Sequence, residues 1–370
     1  MGMHPLSAVV LAAGEGTRMR SARPKPLHRL CGRPMVLHVL DALAELEVDR
    51  AVVVVGHAAD RVAKALIEQA PPGLTLELVE QQVQAGTGDA LSVAMTAFAG
   101  ADDDAEPEDE ADLIVLPGDT PLLRPETLTA LVERHRAEGS SATVLTARLP
   151  DPTGYGRVVR GRSGGVARIV EQRDATEEEA LIDEVNVGIY VFRRGLVAPT
   201  LRRLNPVNAQ GEYYLTDTVE VLARAGYKVG TVVMDDPMEG AGVNDRVQLA
   251  VAEAELRARI NARWMRRGVT MIDPARTYLE TTVELAPDVC LYPGTILQGR
   301  TRVGAGAEIG PDTRLVDCVV GPGALVDHVV GRQATVGAGA TVGPFVVLQP
   351  GSAVAVDATT GSHLVVTPDT

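Results

Sequence analysis

From residue 285 the chain keeps a beat of six. Leu285, Leu291, Leu297, Val303, Ile309 and Leu315 stand six apart, and after slips the beat resumes at Val330, Val336, Val342, Leu348 and Val354. Glycine is often the next residue, as in V-G-A-G-A-E from Val303 to Glu308. Such a period, with small residues between, is the signal of a parallel β-helix, in which each coil buries its aliphatic residues against the next. The repeat reads as scaffold that carries no site of its own.

The beat also divides the chain. Its 370 residues suggest two or three domains. Aromatics are only 3%, so Val, Ala and Leu must fill the cores. Ahead of the repeats, apolar runs at Ala51–Val55, Leu74–Val79, Leu113–Leu116 and Ala142–Leu149 predict strands. Helical spacing is expected over Leu27–Leu46, with Gly32-Arg33-Pro34 as a start signal, and from Gly56-His57 to about Ala70. This alternation indicates a Rossmann-like, mostly parallel α/β sheet with helices on both faces. Further on, Leu249, Ala252, Leu256, Ile260 and Trp264 recur every three or four residues, the mark of one amphipathic connector helix. The expected domains are 1–244, the connector 245–268, and a short β-helix over 269–370.

The first strand end concentrates the chemistry. Val9–Ala13 reads as a buried strand, followed by Gly14, Gly16, Arg18 and the proline-braced Lys25. Backbone N–H groups with two cations make an anion site, for which phosphates are the natural occupant. The alternative is a plain strand-to-helix turn, since neither a dinucleotide fingerprint nor a Walker loop is present. Ligands of such sheets bind outside the carboxyl ends of the strands, and other ends are polar too. Gln81–Ala90 suits the reading of a base edge, or is an ordinary polar loop. In P-G-D-T-P-L from Pro117, Asp119 either places Mg²⁺ or caps the next segment. Glu171 and Asn186, taken singly, are strand-end polar residues.

The net charge of -14 argues against nucleic acid and anionic membranes as partners. Part of that charge, Asp102–Asp112, is expected to be a solvated acidic loop. Three scattered cysteines, no signal peptide and no membrane-spanning run fit a soluble, cytoplasmic setting.

Taken whole, L-A-A-G-E-G-T-R-M from Leu11, with Lys25 six residues beyond it, resembles the signature of sugar-nucleotide pyrophosphorylases. Gln81–Gly88 is similar to the uracil-reading Q-x-x-Q-x-G-T-G of uridylyltransferases, with Asp89 where a histidine is usual. The segments G-Y-G-R at Gly154, I-V-E-Q-R-D-A at Ile169, E-V-N-V-G-I at Glu184, N-A-Q-G-E-Y-Y-L-T-D at Asn208 and G-V-N-D-R at Gly242 go further. They resemble the bacterial bifunctional N-acetylglucosamine-1-phosphate uridylyltransferases, over about Ser7 to Gly351.

That resemblance implies transfer from UTP to N-acetylglucosamine 1-phosphate, giving UDP-N-acetylglucosamine and pyrophosphate. It implies catalytic roles for Arg18, Lys25 and Asp119, and Mg²⁺ held by Asp119 and Asn244. Leu11, Ala12, Ala13, Gly14, Gln81, Gln84, Gly86, Thr87 and Gly118 would hold the nucleotide. Gly156, Glu171, Asn186, Tyr214 and Thr216 would hold the sugar. It also implies a left-handed β-helix of hexapeptide repeats that assembles as a homotrimer. A pyrophosphorylase for another hexose 1-phosphate, or a non-catalytic nucleotide-binding trimer, are the alternatives.

In the resembling enzymes the β-helix also acetylates glucosamine 1-phosphate, with an arginine in L-R-P-G, an N-F-V-E-x-K segment and a histidine in H-L-x-Y-x-G-D. Here Gln349 stands in L-Q-P-G, no N-F-V-E-x-K comes after it, and Val366 replaces the tyrosine after His363. A shortened β-helix without acetyl transfer is expected.

Overall fold

The structure is a computed structural model that describes residues 5–98, 111–162 and 164–368. It forms two compact units, one of Met1–His28 with Pro34–Leu249, the other of Arg29–Arg33 with Ala250–Thr370.

In the first unit, strands β1 (Leu6–Leu11), β2 (Arg50–Val55), β3 (Leu76–Glu80), β4 (Asp112–Pro117), β5 (Ala142–Arg148), β6 (Gly156–Arg160), β7 (Val166–Val170), β8 (Glu184–Arg193) and β9 (Val229–Val233) build one nine-stranded sheet. The main order is β9-β5-β8-β4-β1-β2-β3, with β6 paired to β8 and β7 to β6. Pairs among β1, β2, β3 and β4 are parallel. The long β8 runs antiparallel to both β4 and β5, so the sheet is mixed, with a parallel run through β4, β1, β2 and β3. Both faces are covered. Ala8 and Val10 of β1 belong to one core with Val36, Leu37 and Leu40, whereas Val9 belongs to another with Ala90 and Leu91. Burial on both sides is why these strands read as unbroken apolar runs.

Two expectations for this unit change. The helix starts where its Gly32-Arg33-Pro34 signal stands, at Met35 with Pro34 as N-cap, and runs as α1 (Met35–Ala44); the residues from Leu27 to Pro34 lie outside it. Before it, a 3-10 turn (Lys25–Leu27) leads into a two-stranded hairpin, Arg29–Leu30 against Arg33–Pro34. The turn puts Cys31 and Gly32 at φ 43° and 84°, left-handed values that suit a tight hairpin and end any helix. The acidic loop lies outside the described residues except at its end. There Asp112 is buried at the start of β4, accepting a 2.7 Å bond from Arg136 Nε.

The helix Arg246–Arg266 opens on Asp245, whose carboxylate accepts from the N–H groups of Val247 and Gln248. Its Ile260 and Trp264 enter the core of the second unit. That unit is a stack of short strands in three parallel sheets of five, six and five strands, consistent with a left-handed β-helix. Inward positions keep to the beat, as in the run Leu285, Val303, Val320, Val336 and Val354. One position departs from it. Val330, expected to point inward, is 55% exposed, and Gly331 takes the inward place between Leu315 and Leu348. The coil after Leu315 is shorter than those before it, so the inward phase slips by one residue, and a strand's side-chain period of two then turns Val330 to solvent.

Candidate active site

After β1 the chain runs outward through β2 and β3, then returns to place β4 on the other flank of β1. That reversal opens a crevice at the carboxyl ends of β1 and β4. Leu11 pairs with Pro117, and Gly118 N donates to Leu11 O at 2.8 Å, so the two strand-end loops leave the sheet side by side. A cavity of about 410 Å³ lies there. Its walls include Leu11, Ala12, Ala13, Gly14, Lys25, Gln81, Gln84, Gly86, Thr87, Gly118, Asp119, Glu171, Asn186 and Thr216.

At the phosphate end, Lys25 Nζ forms a very short ion pair with Asp119 Oδ2 and donates to Asn244 Oδ1 at 2.7 Å. Arg18 Nη2 reaches the same Asn244 oxygen at 2.9 Å. Local structure fixes each member. Gly16 sits at φ 64°, and a Cβ there would fall 2.6 Å from Lys25 Cβ, so only glycine lets the two loops close on each other. Arg246 Nε donates to Met19 O and pins the turn that carries Arg18. Val243 N donates to Asp119 O at 2.9 Å, which brings Asn244 beside the carboxylate. Asp119 caps no helix; the next one, Pro125–Glu138, has Arg124 at its N-cap. The side chains of Lys25 and Asp119 are 13% and 26% exposed, so solvent screens their fields little.

The donor set fits a hard divalent cation. A carboxylate oxygen and an amide oxygen converge on one ammonium group, which stands in for such an ion. Among the described residues no group of three or more His, Cys, Asp or Glu could hold a metal alone. Magnesium is commonly bound in this way, by one or two protein oxygens, with waters and substrate phosphates completing the shell.

Along the cavity, Gln81 Nε2 donates to Asp89 Oδ2 at 2.7 Å and to Gly86 O at 3.2 Å, while Gln84 Nε2 donates to Ala13 O at 2.7 Å. The other end is formed by β8, whose register shifts between Asn186 and Tyr190. Asn186 Nδ2 donates to Tyr190 Oη at 2.7 Å, and its Oδ1 accepts from Gly188 N, so the irregularity locks the amide. Glu171 accepts from Thr216 Oγ1 at 3.1 Å; burial pushes its carboxyl above the usual range, with the Thr216 bond opposing.

Gly156 and Tyr214 do not line this cavity. Gly156 pairs with Asn186 across β6 and β8, and a Cβ there would come 3.5 Å from Glu171 Oε1. Tyr214 is buried on a neighbouring cavity of about 390 Å³ that shares Glu171. Tyr155 was not anticipated from the sequence. It is half-buried against the apolar core, and burial, then the negative charge of Asp119, raise its phenol. Its place inside G-Y-G-R is the signal that could have found it.

Residues 8–185 match the model of the MobA-like NTP transferase domain. The chain is 47% identical to the bifunctional protein GlmU of Streptomyces avermitilis over 98% of this chain and 73% of that protein. With the bifunctional protein GlmU of Thermobifida fusca the identity is 48%, over 90% of this chain and 67% of the relative.

The chain belongs to the GlmU family. It is a nucleotidyltransferase, and the cavity at the β1–β4 crevice lies in the unit that contains the matched transferase domain. Among the described residues no helix is long and apolar enough to cross a membrane.

Proposed function

We propose that the protein transfers the uridylyl group of UTP to the phosphate of N-acetylglucosamine 1-phosphate and releases pyrophosphate, in the cytoplasm and as a precursor step for cell-wall synthesis. One observation carries this reading. Lys25, Asp119, Gln81, Glu171 and Asn186 line one cavity, and Asn244 and Arg18 join its phosphate end through the bonds that Lys25 and Arg18 donate to Asn244 Oδ1.

The sugar phosphate is its own nucleophile, since a second phosphate pKa near ~6 leaves it largely dianionic at neutral pH. No protein base is needed, and catalysis rests on positioning and on preorganised charge. Lys25 and Arg18 donate to phosphate oxygens and steady the charge of the five-coordinate phosphorus and of the departing pyrophosphate. Asp119 and Asn244 would hold Mg²⁺, which when bound supplies neutralising charge to the triphosphate. Glu171 accepts from sugar hydroxyls and Asn186 orients the N-acetyl group.

Acetyl transfer is not part of the reading for residues 1–370. Gln349 is exposed and bonds through its backbone to Val366, whose side chain is buried and has no hydroxyl to offer. His363 is exposed, its ring packed at 5.0 Å from that of Phe345. A general base must be held against the amine it deprotonates, and among the described residues no charged side chain is bonded to His363.

The test is release of pyrophosphate across a panel of nucleoside triphosphates and sugar 1-phosphates. The expected result is a strong preference for UTP with N-acetylglucosamine 1-phosphate. A preference for another sugar phosphate, or binding without turnover, would replace this reading. Incubation with acetyl-CoA and glucosamine 1-phosphate should release no thiol above the blank.

A further inference from the structure

We propose that Asp89 sets the base selectivity of the nucleotide site by locking the amide of Gln81. The inference rests on the uridylyl reading and adds a positioning residue to it. Gln81 is buried, 4% exposed, and lines the cavity. A glutamine amide has two N–H donors and one carbonyl acceptor. Both donors are engaged within the protein, one with Asp89 Oδ2 at 2.7 Å and the other with Gly86 O at 3.2 Å. Only Oε1 is left to meet a ligand, so the side chain offers the cavity an acceptor and no donor.

The orientation is enforced rather than incidental. Turned over, Oε1 would face a carboxylate and a carbonyl, two acceptors with no hydrogen between them, and both amide hydrogens would lose their partners. The bond to the carboxylate is charge-assisted and so among the stronger ones available to an amide. Asp89 is itself fixed, because it lies in the first turn of the helix Thr87–Met95, where a negative charge is favoured.

A pyrimidine bearing N3–H presents a donor to that oxygen, and uracil does so. Cytosine presents the bare N3 lone pair, so it would set acceptor against acceptor. A site whose buried polar group is fixed in one sense rejects the ligand of the other sense far more strongly than one that can rotate. Were Gln81 free to turn, it could serve either base.

The experiment compares kcat/KM for UTP and CTP in the parent, Asp89→Asn, Asp89→Glu and Asp89→Ala, with N-acetylglucosamine 1-phosphate saturating. Asn has the shape of Asp but can donate as well as accept, so it tolerates both orientations of Gln81. The UTP-to-CTP ratio should fall by about tenfold or more in Asp89→Asn and Asp89→Ala. Asp89→Glu, which still only accepts, should keep more of the parental ratio, and KM for the sugar phosphate should hold in all. A loss of folded protein lowers both rates together and leaves the ratio alone, so a purely structural role would not produce this pattern. If the Asn variant does not fold, the Ala variant makes the same comparison. A parent that prefers UTP with variants that keep its ratio overturns this inference alone. A parent that prefers a different triphosphate overturns the uridylyl reading itself.

Discussion

Lys25 Nζ donates to Asn244 Oδ1 at 2.7 Å, joining two residues 219 positions apart in the chain. Arg18 shares that oxygen, so one amide organises both cations at the phosphate end. The chemistry proposed for the site depends on these charges being in place before substrate arrives, because preorganised charge needs no rearrangement during the reaction.

Lys25→Ala should lower kcat by roughly two orders of magnitude or more, since one aimed charge in such a site is worth about 3 kcal/mol. The melting temperature should change little, as the ammonium contributes to no apolar core. Steady-state kinetics and a thermal melt check this together; a kcat within a few-fold of the parent would remove Lys25 from the mechanism.

Replacing Asp119 acts on the metal. Asn244, the other protein oxygen, is neutral and a weak ligand for a hard cation. In Asp119→Ala the Mg²⁺ concentration for half-maximal rate should rise by at least about tenfold. A titration of rate against Mg²⁺ that superimposes on the parent's would locate the metal elsewhere.

The half-buried carboxyl of Glu171 is raised by desolvation, with the Thr216 bond opposing. As pH falls, Glu171 therefore takes up its proton earlier than an ordinary glutamate and ceases to be a pure acceptor. KM for the sugar phosphate should climb on the acid side, and Glu171→Gln should show a high KM without that climb. The ratio of variant to parent at each pH cancels the titration of the substrate phosphate. A parental KM in Glu171→Gln would leave the carboxylate without a role.

Asp217 bears on stability. Desolvation, then the charges of Glu220 and Asp174, raises its carboxyl from 3.8 to about 6. A folded-state pKa above the unfolded value means the native state holds the proton more tightly. The associated stability is therefore present below about pH 4 and is lost as pH rises through about 6. Asp217→Asn should raise the melting temperature at about pH 7.5, and the gain should vanish toward about pH 4. Thermal melts across that range decide it, and a gain that is constant with pH would mean that charge is not the cause.

Much of this was legible in the sequence, and the reason is local. A strand-end glycine, a proline-braced lysine and an aspartate one step past a buried strand each announce themselves within ten residues. The features that escaped depend on register and on partners far along the chain. Val330 reads as an inward aliphatic until the shortened coil gives its place to Gly331. The hairpin at Arg29–Pro34 hides inside a segment read as helical because a tight turn is set by Cys31 and Gly32 rather than by periodicity. Asp112 belongs by composition to an acidic run, yet Arg136 offsets its charge in the interior. Asp89 could be seen to differ from the usual histidine, but only its bond to Gln81 says what the difference does.

The backbone bond from Val243 to Asp119 also dictates an order of events on the ribosome. A nascent chain made only as far as β8 already contains every strand of the β1–β4 crevice, and both Lys25 and Asp119. It still lacks the oxygen that Arg18 and Lys25 share. The phosphate end is complete only once residue 244 has been made and has folded back, so competence arrives with the last segment of the unit rather than with its sheet.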